Sequence, residues 1–366
     1  MYKLQKWIPF HGGFFDPEAK DFAIPPKFDF VTNFDADGLA RATFRHNRKT
    51  GYINAEGETI IAPQFDSAGS FAGNGLAIVS CERKHGYINI EGEIIIPIQF
   101  QNGYGFNTQG LAAVKKRSRW GYINAEGKSV LPLHYNQVSD FSSNGLAVVR
   151  KNGQEGYINV KGETVIPLQF DSAGSFADNG LAVVKSNNQW GYLNIQSEFV
   201  IAPQFSGACS FSPDGLAMVE QDRKWGCIDA EGKTVIPMQF DILSGFAPNG
   251  LALIKQNGEW GYINREGKRV ISLPFDYADS FSSAGFALIQ QNGKYGYINA
   301  EGEVIIPPKY ERALGFGDNG LADVMVNGEL GLINTQGQMV IRRPINGDRC
   351  EIKNIDDKVI WSEARI

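Results

Sequence analysis

Residues 249–264 read Asn249-Gly250-Leu251-Ala252-Leu253-Ile254-Lys255-Gln256-Asn257-Gly258-Glu259-Trp260-Gly261-Tyr262-Ile263-Asn264. Two apolar runs flank Asn257-Gly258. A two-residue type I′ turn needs positive φ at both central positions, which Asn and Gly tolerate best. Residues 251–255 and 260–264 are therefore the arms of a β-hairpin. The segment recurs along the chain: the glycine after its aromatic falls at Gly51, Gly86, Gly121, Gly156, Gly191, Gly226, Gly261, Gly296 and Gly331. Nine copies at a constant interval of 35 residues define a tandem array.

The rest of each unit follows from its neighbours. A β-branched arm, such as Glu163-Thr164-Val165-Ile166-Pro167-Leu168-Gln169-Phe170, reads as a strand. Its proline cannot donate to a ladder, so the strand belongs at an edge or carries a bulge. An irregular connection follows, ending in one Phe per unit (Phe71, Phe106, Phe141, Phe176 and on), read as a plug under the loop. Asn159-Val160-Lys161-Gly162 fits a type I turn with a left-handed Gly into the next arm. The reading is three antiparallel strands per unit. Both faces are apolar, so each small sheet is covered by its neighbours. Gly and Ala are expected to let adjacent sheets approach, with the aromatic face filling the wider gap.

These elements predict an all-β fold: an open, superhelical, solenoid-like stack of three-stranded units over residues 23–341. Residues 1–22, with Trp7, Phe10, Phe14 and Phe15, and residues 342–366, with Trp361, read as N- and C-terminal caps. The alternative is a closed β-propeller. It is disfavoured because nine blades exceed the usual range of about 4–8, and because no unit lacks a strand for the opposite terminus to supply.

The recurrent Trp-Gly-Tyr-Ile-Asn, followed by Glu-Gly, a Val-Ile-Pro arm and Asn-Gly-Leu-Ala, resembles the bacterial WG-repeat (KWG-repeat) family. The likeness spans 23 to about 341. It weakens locally where Thr50, His85, Glu155 and Leu330 replace the tryptophan, and where Cys227 and Leu332 replace the tyrosine. The resemblance implies a repeat scaffold that mediates interactions and has no shared catalytic residues.

Composition adds little to that. The 366 residues hold 35 Lys and Arg against 40 Asp and Glu, a net charge of -5, so nucleic acid is not an expected partner. Cys81, Cys209, Cys227 and Cys350 are scattered, which fits a reducing compartment. Neither a signal peptide nor a membrane span is legible, so a cytoplasmic location is expected. No hydrolase, P-loop or dinucleotide motif occurs. His11, His46, His85 and His134 stand apart from other ligand types, so neither a metal nor another cofactor is expected, and the chain reads as non-enzymatic. Asp35-Ala36-Asp37-Gly38 imitates the start of a calcium loop but lacks the closing Glu, and reads as a turn.

One asymmetry carries a functional hypothesis. The tips of the first four hairpins hold Arg45, Arg48 and Lys49; Arg83 and Lys84; Lys115, Lys116, Arg117 and Arg119; Arg150 and Lys151, against the single Glu82. The later tips nearly cancel. Tips lying side by side would form a positive ridge on an acidic protein, suited to steering an acidic segment of a partner protein. The alternative is a carbohydrate or cell-envelope site on the aromatic row Trp120, Trp190, Trp225 and Trp260. Oligomeric state is not legible.

Overall fold

The computed structural model describes residues 7–10, 12–16, 18–343, 345–346, 349–354 and 359–364. Met1–Lys6 and His11 lie outside them, as does the side chain of Trp361. Among the described residues the chain is all-β.

Each repeat folds as a four-stranded antiparallel meander. In the seventh these are Ile242–Leu243, Ala252–Gln256, Glu259–Ile263 and Arg269–Leu273, hydrogen-bonded in chain order. The two-residue first strand was read from sequence as part of the connection. Counting it turns a three-stranded rung into a four-stranded up-and-down sheet, the unit of a β-propeller blade. The expected open, solenoid-like stack is thereby corrected: the fold class is a β-propeller. Blade number was a poor discriminator, because the usual range is a tendency and not a bound. A three-stranded sheet (Ile8–Phe10, Gly13–Asp16, Asp21–Ile24) precedes the repeats, and the ninth repeat's sheet is extended by Ile345–Asn346, Arg349–Asn354 and Val359–Ala364.

Contacts group the chain into two compact units. One holds the described residues up to Phe15 with Ala23–Gly215, the other Asp16–Phe22 with Leu216 onward. In the second, the buried Asn354 amide donates to the Lys20 carbonyl at 3.1 Å. Within each unit the core is a series of layers between consecutive sheets. Tyr122 and Leu131 of the third repeat meet Phe141, Ala147, Val149 and Ile158 of the fourth. Tyr87, Ile96 and Phe100 meet Phe106, Ala112, Val114 and Ile123 in the same way. In the second unit, Cys227, Ile236 and Phe240 face Ala252, Ile254 and Ile263. The aromatic face of one sheet packs on the small-residue face of the next, so the alanines do permit close approach.

The glycine after the tryptophan has a different task from the one expected. The fourth strand bulges at its proline: Trp120 pairs Tyr135, yet Tyr122 pairs Leu131. A Cβ on Gly121 would lie 2.6–2.8 Å from the Leu131 and Pro132 carbonyls and the Leu133 amide. Glycine is needed there because its own sheet folds over it, and not because a neighbouring sheet comes near.

A latch invisible to a pattern search joins consecutive sheets. The buried Tyr157 hydroxyl donates to the Gly174 carbonyl of the next repeat at 2.7 Å, and Tyr52, Tyr87, Tyr192, Tyr262 and Tyr297 repeat this 17-residue step. Each ring also contacts the next loop Phe, as Tyr157 does Phe176 at 4.9 Å. That Phe thus plugs the gap between sheets, and it does more than fill its own loop.

Candidate binding surface

The hairpin tips are built by their turns. Asn257 and Gly258 take φ of 55° and 86°, the type I′ geometry the sequence implied. The second and third tips hold the same geometry without its preferred residues. Glu82 and Arg83 sit at 49° and 61°, Arg117 and Ser118 at 49° and 62°. Positive φ is costly for side chains that crowd the backbone. The sixth tip takes it too, with Asp222 and Arg223 at 52° and 64°, so the geometry is not confined to the basic tips.

Polar residues just after the fourth strands bind the hairpin tips, in two cases joining successive ones. Asp66 accepts from Lys49 Nζ of the first tip at 2.5 Å and from the Glu82 amide of the second at 2.7 Å. The Lys49 ammonium holds the Asp66 carboxyl below the usual carboxylate range. One period on, Gln101 accepts from the Ser118 amide, and then Asn136 from Asn152. Burial and, after it, the charges of Lys151 and Arg119 push the His134 imidazole below its usual value. Asp66 thus joins the first two tips, and Lys116 of the third tip reaches Gln99 of the second repeat. In the second unit Asp241 plays the part of Asp66, binding Lys224 and the Asn257 amide. The sequence reading passed over this position, although a polar residue follows the strand-ending aromatic at Asp66, Gln101, Asn136, Asp171, Asp241 and Glu311.

The eleven basic residues divide by what they touch. Arg45 donates to the Phe28 carbonyl at 3.1 Å, Lys49 is held by Asp66, and Arg150 lies 3.7 Å from Glu155. Lys116 donates to Gln99 at 2.8 Å, and Lys115 lies 5.8 Å from the centre of the Trp120 ring. The other six, Arg48, Arg83, Lys84, Arg117, Arg119 and Lys151, are exposed and make no ion pair or side-chain hydrogen bond among the described residues. The surface is thus six solvent-facing cations on a frame of tethered ones.

The tryptophan row lies lower on the hairpins. Trp120 and Trp260 are buried, Trp190 and Trp225 half-buried. Each pairs across the ladder with a fourth-strand residue, as Trp190 does with Phe205. Lys115, Lys185 and Lys255 stand over Trp120, Trp190 and Trp260 at 5.8, 5.8 and 4.9 Å, as cation–π partners from the neighbouring strand. Where Glu155 takes the tryptophan's place, its carboxylate accepts from the Ala173 amide of the next repeat at 2.6 Å.

Among the described residues no three His, Cys, Asp or Glu side chains gather as metal ligands. Asp35-Ala36-Asp37-Gly38 is a turn, closed by the Gly38 amide on the Asp35 carbonyl at 3.0 Å. No helix among the described residues is long and apolar enough to cross a membrane.

Comparison with solved structures bears on the fold. The chain is similar to the crystal structure of a eukaryotic initiation factor at a TM-score of 0.54 and 10% identity, over 86% of this chain and 95% of that one. A likeness at that identity concerns fold alone, and it supports the propeller over the open stack. Two further likenesses, to Hsv2 of Kluyvelomyces marxianus (TM-score 0.37, 10% identity, 73% and 99% covered) and to the dihydro-heme d1 dehydrogenase NirN (0.39, 13%, 94% and 78%), add no argument. No curated protein matches the sequence. The family model described as WG containing repeat matches nine times, at residues 13–44, 51–84, 86–120, 120–154, 156–190, 190–225, 225–260, 260–295 and 295–329. Matched over most of its length, with the period and hairpin signature already described, the chain belongs to the WG containing repeat family.

Proposed function

We propose that this chain is a non-enzymatic binding scaffold whose first four hairpin tips dock an acidic segment of a partner protein. The observation that carries this reading is the set of six exposed, unpaired cations on the tips of four consecutive repeats of a protein whose net charge is -5. Cations already bridged to carboxylates add little attraction for a partner, whereas free ones concentrate field and raise association rates. The carbohydrate alternative has less support, because the tryptophan rings are sunk among neighbouring side chains and partly covered by lysines.

The test is binding of a fluorescent poly-glutamate peptide to the full chain at increasing salt. Affinity is expected to fall steeply with ionic strength. It should be lost when Arg83, Lys84, Arg117 and Arg119 are reversed to Glu, and be unchanged when Lys224, Lys255 and Lys294 of the later tips are reversed. Equal loss in both variants would refute a localised site.

A further inference from the structure

The third repeat carries a feature its neighbours lack. After the short first strand Asn102–Gly103 comes Tyr104, where the adjacent repeats have Gly69 and Ser139 and later ones Gly174, Cys209, Ser244, Asp279 and Leu314. Leu314 is the other large apolar side chain at this position, with 62% of its surface exposed, and of the set Tyr104 alone is aromatic. Tyr104 projects its ring and leaves 49% of its surface exposed. The ring stacks on Trp120 at 5.3 Å and 12° between planes. Lys115 Nζ stands 5.8 Å from the same indole.

This ring lies on the flank of the most basic tip. The Tyr104 amide donates to the Ala113 carbonyl at 3.0 Å, and Asn102 is in register with Lys115. Trp120 follows Arg119 and pairs with Lys115 across the hairpin. The Tyr87 hydroxyl fixes the Tyr104 backbone from behind, donating to its carbonyl at 2.7 Å. A ring already stacked loses little conformational freedom when a ligand covers its other face. Exposed aromatics beside arginines are the usual energetic centre of an interface, with charged contacts around them giving register and rate.

We infer that Tyr104 is the anchor of the basic surface, and that the docking segment is an acidic peptide carrying an aromatic side chain that stacks on it. Lys116, Arg117 and Arg119 are the cations nearest in sequence to take its flanking carboxylates. This rests on the proposed function and adds a requirement to it: charge brings the segment, and one aromatic residue seats it.

Two labelled peptides, equal in length and acidic charge, separate the two ideas. One has a central Phe, the other Ala, and fluorescence anisotropy is read with the full chain at low salt. Wild type is expected to bind the Phe peptide about five-fold more tightly, the scale of one good aromatic contact. Tyr104→Ser, which installs a residue other repeats carry, should abolish that preference while leaving the Ala peptide's affinity intact. Tyr104→Phe should keep the preference. The triple reversal of Lys115, Lys116 and Arg117 to Glu should weaken both peptides. Equal wild-type affinity for the two peptides, or a preference that survives Tyr104→Ser, overturns the anchor and leaves the acidic-segment reading standing. Failure of both peptides on wild type overturns both. Tighter binding of a single-stranded oligonucleotide of matched charge, whose bases would stack on Tyr104, also overturns the anchor as a peptide site.

Discussion

Tyr157 shows how much one side chain does in this array. Its ring fills the layer between the fourth and fifth sheets, and its hydroxyl ties that layer to the Gly174 carbonyl. Removing the hydroxyl alone separates the two contributions. Tyr157→Phe keeps the packing and loses one buried hydrogen bond, for a cost of about 1 kcal/mol in urea unfolding. Tyr157→Ala would lose both and cost about 3–5 kcal/mol. At the equivalent place in the sixth repeat Cys227 supplies neither ring nor hydroxyl, and it is buried beside Ile236 and Phe240. The residue-level rule is that the ring is the core and the hydroxyl is the tie.

At the level of the hairpin, turn chemistry and charge compete. Asn257-Gly258 satisfies the turn and leaves the tip nearly neutral, whereas Arg117-Ser118 strains it and leaves it basic. Converting Arg117-Ser118 to Asn-Gly is expected to raise stability by about 1 kcal/mol through relief at both positive-φ positions. The same change should weaken binding of an acidic peptide. Chemical denaturation and peptide titration on one variant measure both, and a gain in stability with unchanged affinity would remove Arg117 from the binding surface. Such opposition between local stability and use is expected where a site is laid on a scaffold.

For the whole molecule, the latches act together and give a pH dependence. Burial raises the pKa of Tyr52, Tyr87, Tyr122, Tyr157, Tyr262 and Tyr297 well above the ordinary value of 10.0. Below that value both folded and unfolded chains keep these protons, and stability is at its full level. Above it the unfolded chain ionises while the folded chain does not, so stability falls as pH rises toward the folded-state values. The urea midpoint should therefore drop beyond pH of about 10, and tyrosinate absorbance from these rings should appear only with unfolding. Ionisation of all tyrosines without loss of structure would contradict their burial. Most layers carry such a ring, whereas the layer around Cys227 does not, so the alkaline weakness falls on the tyrosine-bearing layers.

Much of this was legible in the residues. A 35-residue period, Asn-Gly at the tips, a proline in one arm and an apolar pattern on both strand faces fix the hairpin, its turn, the edge strand and sheet-to-sheet cover, since all four are local or periodic properties. Tertiary structure alone decided the rest. A strand such as Ser67–Ala68 is two residues long, too short to show periodicity, so the first strand of each repeat went uncounted. The choice of propeller over open stack turned on that extra strand, which makes each repeat a four-stranded blade. Which cations are available to a partner depends on Asp66, Gln99 and Glu155, residues that reach them only through the fold. Tyr104 is one exposed ring in the sequence until folding lays it on Trp120 beside the most basic tip.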